Sequence, residues 1–239
     1  MPNYHAANTV MNPTRFPGGL NTCNVTDAMA QLGMLDPSRI QNFFSDFITY
    51  TAADWTVTKV GAGTNALTTG AGGWLLITNA AADNDSVFHQ LPSPAFSLSA
   101  NKRAFFKCRF KVSDATQSDI QFGLLSTDTT PFDVTDGIYM LKPDDAATVN
   151  VICRKDATTG SISGTAVATL VSDTFVTFGW AYDGKASVEF YFDDVKVYTL
   201  DASSTYLPDT LLTPSFGLQN GEAVAKNMTV DYIFAAVER

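Results

Sequence analysis

An all-β fold of two packed antiparallel sheets is predicted by three features of this 239-residue chain. Apolar bursts of strand length recur from Phe44 onward, several alternating with polar residues at period two. Turn-forming dipeptides separate them, among them Asp136-Gly137, Asp183-Gly184 and Asn220-Gly221. The acidic residues are almost all aspartate: of 24 Asp and Glu, only Glu189, Glu222 and Glu238 are Glu. Aspartate favours turns and strand ends over helix interiors. A hydrophobic content of 45% is enough to bury a sizeable core in one domain.

Residues 1–43 stand apart. They hold Pro2, Pro13, Pro17, Gly18, Gly19 and many Asn, with no period-two run. Two brief helical turns are expected. One spans 26–32, with Thr26 as N-cap and Gly33 as stop; the other starts at Asp36-Pro37. Such an arm cannot build its own core. It must lie along its own domain, along a neighbouring subunit, or stay undocked. Its apolar residues Val25, Met29, Leu32, Met34 and Leu35 point to docking and are the candidate arm contacts.

From residue 44 to 239 a sandwich is expected, with strands near 55–60, 74–78, 86–90, 103–112, 120–125, 138–141 and 149–153. The series continues with 166–171, 175–182, 188–192, 195–200, 215–218 and 229–237. The 103–112 stretch is the clearest. Ala104, Phe106, Cys108, Phe110 and Val112 share one face; Lys107, Arg109 and Lys111 share the other. Asp193-Asp194 reads as the two-residue tip of a hairpin. Cys108 and Cys153 read as buried thiols, with a disulfide between them as the open alternative.

Composition excludes some function classes. A net charge of −9 with only 15 Lys and Arg argues against a nucleic-acid coat, because phosphate binding needs concentrated positive charge. Apolar runs such as Trp74-Leu75-Leu76-Ile77 are far too short to span a bilayer, and no secretory peptide is expected from the first residues. Against the acidic background, Lys107, Arg109 and Lys111 form a positive stripe. It is either a solvated strand face or a contact for an acidic partner.

The aromatic residues divide by face. Trp180 alternates with Val176, Phe178 and Tyr182, and Trp74 with Leu76, so both are expected in the core. Trp55 fits either side. Tyr191, beside Glu189 on a polar face, is the better exposed ring, so Trp55 and Tyr191 are the candidate glycan contacts. His89, alternating with Val87, reads as a structural histidine. The Asp83-Asn84-Asp85 cluster offers hard oxygen ligands or simply forms a turn, and the full calcium-loop spacing is missing. No metal and no cofactor are expected.

The block Thr177-Phe178-Gly179-Trp180-Ala181-Tyr182-Asp183-Gly184, followed by Ser187 to Val197, resembles concanavalin A-like jelly rolls of laminin-G and lectin type. The closing blocks Pro214 to Gly221 and Val230-Asp231-Tyr232-Ile233 are similar to the last strands of that fold. More narrowly, this ending, Asp54 to Thr58 and Gly73 to Asn79 resemble tailed-bacteriophage virion proteins encoded among head genes. The resemblance spans about residues 44–239. It implies a head decoration or cement protein on the capsid surface, made in the host cytoplasm. Its implied partners are the major capsid protein and further copies of itself, as a trimer. The alternative is a carbohydrate-binding module on a phage particle that contacts host polysaccharide. Jelly-roll glucanases place their carboxylates in a Glu-x-Asp-x-x-Glu or Glu-x-Asp-x-Glu pattern. Nothing around Glu189 or Glu222 matches it, and no Gly-x-Ser-x-Gly turn accompanies His89. The expectation is therefore a chain with no catalytic residues and no enzymatic activity.

Overall fold

Strand follows strand along the chain, with two short 3-10 turns, Ala52–Asp54 and Pro131–Asp133, among the described residues. The computed structural model describes residues 40–157, 162–201 and 205–239. The strands are β1 (Ile40–Ser45), β2 (Thr56–Val60), β3 (Thr64–Thr68), β4 (Trp74–Thr78), β5 (Ser86–Gln90), β6 (Ala104–Val112), β7 (Ser118–Leu125) and β8 (Gly137–Lys142). They continue as β9 (Thr148–Arg154), β10 (Ile162–Thr169), β11 (Val176–Tyr182), β12 (Ser187–Phe192), β13 (Val195–Asp201), β14 (Thr213–Asn220) and β15 (Asn227–Glu238). Asn42–Val237 form one unit. The other, Met1–Gln41 with Glu238–Arg239, lies almost wholly outside the described residues. So do the expected arm contacts Val25, Met29, Leu32, Met34 and Leu35.

Two sheets result. One has the order β13-β12-β11-β6-β15-β4-β3, with β1 also paired to β15; the other runs β10-β9-β8-β7-β14-β5-β2. The strands within each sheet pair antiparallel, as β6 does with β11 and β15 and β7 with β14, so the two-sheet sandwich predicted from patterning is the fold. The inward row of β6 meets the inward row of β7. Phe110 stacks on Phe122 with centroids 4.3 Å apart, and Phe122 stacks on Phe216 of β14 at 5.6 Å. Aromatic pairs of this kind add about 0.5–1.5 kcal/mol each beyond the area they bury.

Local chemistry sets the connections. Asp193 and Asp194 both take positive φ, 48° and 61°, and form the two-residue tip between β12 and β13. Asp183 Oδ1 accepts from the N–H groups of Lys185, Ala186 and Ser187, which closes the turn at Gly184. Strand β3 was not anticipated, because Thr-Asn-Ala-Leu-Thr has no apolar alternation and is held by pairing with β4. Strand β1 lacks alternation too, and its Phe44 packs on Tyr232 and Phe234 of β15.

Three side-chain expectations are settled here. Cys108 and Cys153 are buried free thiols, and the Cys108–Cys153 disulfide is not formed. Trp180 is in the core at 2% exposure. Trp74 is a correction. Leu75 and Ile77 of β4 face the core at 0% exposure, which turns Trp74 and Leu76 to the opposite side. Four apolar residues in a row carry no sign of which alternate pair points inward.

Candidate functional site

The seven-stranded sheet has an outer side that does not behave as a solvated face. On β7, Ile120, Phe122 and Leu124 point into the sandwich, so Asp119, Gln121, Gly123 and Leu125 point away from it. The register sets their neighbours. Gln121 lies between Leu141 of β8 and Gly217 of β14, with Phe88 of β5 beyond Gly217. Gly123 lies between Tyr139 and Ser215, with Gln90 beyond Ser215. The two glycines have no Cβ to stand between the rings and the backbone. A Cβ on Gly217 would come within 2.0 Å of the Phe88 ring, and one on Gly123 within 2.5 Å of Tyr139 Cβ.

Apolar residues close over this side. Phe88, Leu125, Val134 and Tyr139 form a second buried cluster, separate from the main core, with Phe132, Leu141 and Ile152 packed against it. Phe132 and Val134 come from the loop 126–136, and Phe132 meets Phe88 edge-to-face at 5.2 Å. Gln90 ties the loop down: its Nε2 donates to Ser126 O at 3.1 Å, and its Oε1 accepts from Asp128 N at 3.1 Å. Gln121, fully buried, has no partner for Oε1 or for Nε2. Among the described residues it is the one side-chain amide with both polar atoms in that condition. An unpaired buried polar group costs about 1–3 kcal/mol, so such a group in a folded chain calls for a reason.

The same side carries ionisable groups. Burial pushes the Asp119 carboxyl up, its Oδ1 accepts from Asp144 N at 2.8 Å, and the Asp144 charge raises it further. Burial also raises the Tyr139 phenol, against the pull of Arg154, whose Nη1 lies 3.3 Å from Asp133 Oδ1. On the opposite, inward side, at the end of the sheet across from Ile120, Lys142 is wholly buried and donates to the carbonyls of Thr116 and Ser118. Burial pulls its ammonium down to about 8 although Asp119, Asp144 and Asp114 oppose this. No sequence motif announces Asp119, Gln121 or Lys142. They are ordinary polar residues, and only their cross-strand neighbours single them out.

The residues singled out by sequence fall elsewhere. Trp55 is corrected: at 8% exposure it is packed among Phe43, Phe47, His89 and Phe216, so its ring is closed to a glycan. Its neighbours from β5 and β14 fill the face that alternation left undecided. Tyr191 lies on the outer side of the eight-stranded sheet, half-buried, donating to Glu189 Oε2 at 2.5 Å, while Lys196 donates to Glu189 Oε1. The stripe is on that same side. Lys107 pairs with Asp194 at 2.6 Å, and Arg109 pairs with Asp231 and lies 4.3 Å over the Phe175 ring. Lys111 stands over Phe175 at 5.3 Å. Two of the three charges are thus matched within the sheet. His89 is buried, stacked on Phe216 at 4.8 Å, with Tyr50 Oη 3.2 Å from Nε2.

In the acidic cluster 83–85, Asp85 Oδ2 accepts from Ala82 N at 3.1 Å and Asn84 takes a φ of 63°, which is turn formation. Elsewhere Asp136, Asp156 and Asp209 bring one oxygen each within 4.8 Å of the others. Lys155 pairs with Asp209 at 2.6 Å and supplies positive charge at that cluster.

No protein-family model and no curated protein matches the chain. Solved structures do. An endo-1,3-β-glucanase from Streptomyces sioyaensis aligns at 13% identity over 84% of this chain and 97% of its own, with a TM-score of 0.59. The endo-β-1,4-glucuronan lyase from the fungus Trichoderma reesei aligns at 12% identity over 82% and 94%, TM-score 0.56. The carbohydrate recognition domain of Emp47p aligns at 14% identity over 85% and 98%, TM-score 0.57. The fold is the concanavalin A-like jelly roll. At these identities the likeness establishes the fold alone. It also corrects the expectation of a chain without enzymatic activity, since this jelly roll is the scaffold of a lyase and of a glucanase. A catalytic motif missing from the sequence therefore does not classify the chain.

Proposed function

We propose that the chain recognises a carbohydrate through the outer side of its seven-stranded sheet. The observation that carries this reading is Gln121, an amide with both polar atoms unpartnered next to the aromatic ring of Phe88. A pyranose ring presents an apolar C–H face and an edge of neighbouring hydroxyls. Phe88 and Tyr139, once the loop 126–136 that covers them is displaced, match the first, and the donor–acceptor pair of Gln121 matches the second. The likeness to a carbohydrate recognition domain, a glucuronan lyase and a glucanase supports the reading.

The test uses opposite signs. Gln121→Leu keeps the volume and removes the unpaired amide, so it is expected to stabilise the domain by about 1–3 kcal/mol in urea unfolding. On a panel of β-1,3-glucan and glucuronan oligosaccharides the same variant is expected to lose binding seen in the wild type. A variant that binds as well as wild type sinks the reading. The same panel checks for cleavage, for which Asp119, its carboxyl raised by burial and accepting from the Asp144 backbone N–H, is the candidate acid. New reducing or unsaturated ends that disappear in Asp119→Asn are the expected sign.

Placement on a capsid surface remains a separate proposal that rests on the sequence resemblance. In it residues 1–43 contact the major capsid protein or further copies of this chain, and Lys107, Arg109 and Lys111 orient the partner. Stoichiometric binding to capsids lacking the protein is the measurement that decides it.

A further inference from the structure

We infer that the loop 126–136 is a built-in plug, with Phe132 occupying the place over Phe88 that a ligand ring takes. This rests on the carbohydrate-recognition reading and adds how that site is regulated.

Three observations converge. First, the outer side of an antiparallel sheet is normally solvated, yet here Phe88, Leu125 and Tyr139 are buried by a loop rather than by another sheet or helix. Second, Gln121, across Gly217 from the covered Phe88, is fully buried and neither polar atom of its side chain has a protein partner. A loop selected only to stabilise the sheet has no reason to leave an amide in that state. Third, the loop's hydrogen bonds to the sheet lie at its two ends, with the Arg154–Asp133 ion pair on the solvent side between them. Gln90 holds Ser126 and Asp128, Ser126 N donates to Asp136 O at 2.9 Å, and Asp136 N donates to Ser126 Oγ at 3.3 Å. Between these ends, Thr127, Thr129, Thr130, Asp133 and Thr135 are exposed. Pro131, Phe132 and Val134 turn inward, and Asp133 pairs with Arg154 from the solvent side.

The plug is therefore held by apolar contact of Phe132 and Val134 with the Phe88 cluster and by the exposed Arg154–Asp133 pair, beside a buried amide that gains from hydration. Opening it exposes an aromatic ring and an amide side by side. A ligand must displace Phe132 to bind, so its apparent affinity is reduced by the fraction of molecules that are closed.

The experiment follows the Gln121 side-chain amide by NMR hydrogen exchange in wild type, Phe132→Ser and Phe132→Leu. Phe132→Ser is expected to speed exchange at least tenfold, while Phe132→Leu, which keeps an apolar side chain on Phe88, stays near wild type. Phe132→Ala replaces the serine variant if that fails to fold. Unchanged exchange in the serine or alanine variant overturns the plug, whatever the binding result. The oligosaccharides that bind wild type should bind Phe132→Ser at least tenfold tighter; equal or weaker binding also overturns it. Faster exchange with no binding by either protein leaves the plug standing as an occluding loop and removes the carbohydrate reading instead.

Discussion

Replacing Trp180 by alanine is expected to cost about 3–5 kcal/mol, the range for deleting a buried large aromatic side chain and leaving a cavity. Trp180 lies opposite Phe106 of β6 and Phe190 of β12, with its ring stacked on Phe106 at 6.2 Å and 15°. For a domain of this size each kcal/mol shifts Tm by roughly 2–4 °C, so a fall on the order of 10 °C should appear in thermal unfolding. Trp180→Phe is expected to lose far less, because it keeps a ring there and removes an indole N–H that has no partner. Trp180 belongs to the eight-stranded sheet and points inward, so glycan binding by the folded fraction should be unchanged. A wild-type Tm for Trp180→Ala would show that the ring is not packed between the sheets.

The second large effect is a loss of stability in acid that runs through His89. Burial, with a smaller contribution from the charge of Lys59, lowers its imidazole to about 3 from the ordinary 6.5. The folded state keeps the ring neutral while the unfolded chain takes up a proton below about pH 6.5. The stabilisation is therefore complete above pH 6.5 and is lost progressively as pH falls toward about 3. At about 1.4 kcal/mol per pH unit, the loss reaches on the order of 5 kcal/mol at the acid end. Asp119 acts in the opposite sense, since a raised carboxyl favours the folded state as pH falls. His89→Phe isolates the imidazole: the ring still stacks on Phe216, but the titration is gone. Urea unfolding between pH 7 and 4 is expected to be flatter in this variant than in wild type. Parallel curves would show that His89 is charged in the folded protein or is not buried.

Much of the sandwich was legible along the chain because period-two patterning reports which residues share a face. The 103–112 stretch shows this best, with its inward row Ala104, Phe106, Cys108, Phe110 and Val112 as expected. The pattern fails where both faces are apolar or neither is. Trp74-Leu75-Leu76-Ile77 has no polar partner row, so the inward pair was taken one residue out of step. Ser86 to Gln90 is buried along its whole length, which hid Phe88 from a one-face reading. The candidate site was not legible at all. Asp119, Gln121 and Gly123 look like any outward row of a half-exposed strand.

By itself, the sequence determined that most of the described chain is β, where the β11–β12 and β12–β13 hairpins turn and which aromatic residues of β6 and β11 enter the core. These are properties of neighbouring residues, since alternation, turn chemistry and the φ preferences of Asp, Asn and Gly act over two to four positions. Tertiary structure alone decided that a loop covers the outer side of the seven-stranded sheet, that Phe88 lies across Gly217, and that Gln121 is sealed beside it without a partner. Those facts depend on side chains from β5, β7, β8 and β14 and from the loop 126–136, which are brought together by strand register across more than a hundred residues. Burial and hydrogen-bond satisfaction belong to that assembled neighbourhood, so no pattern within a single strand reports them.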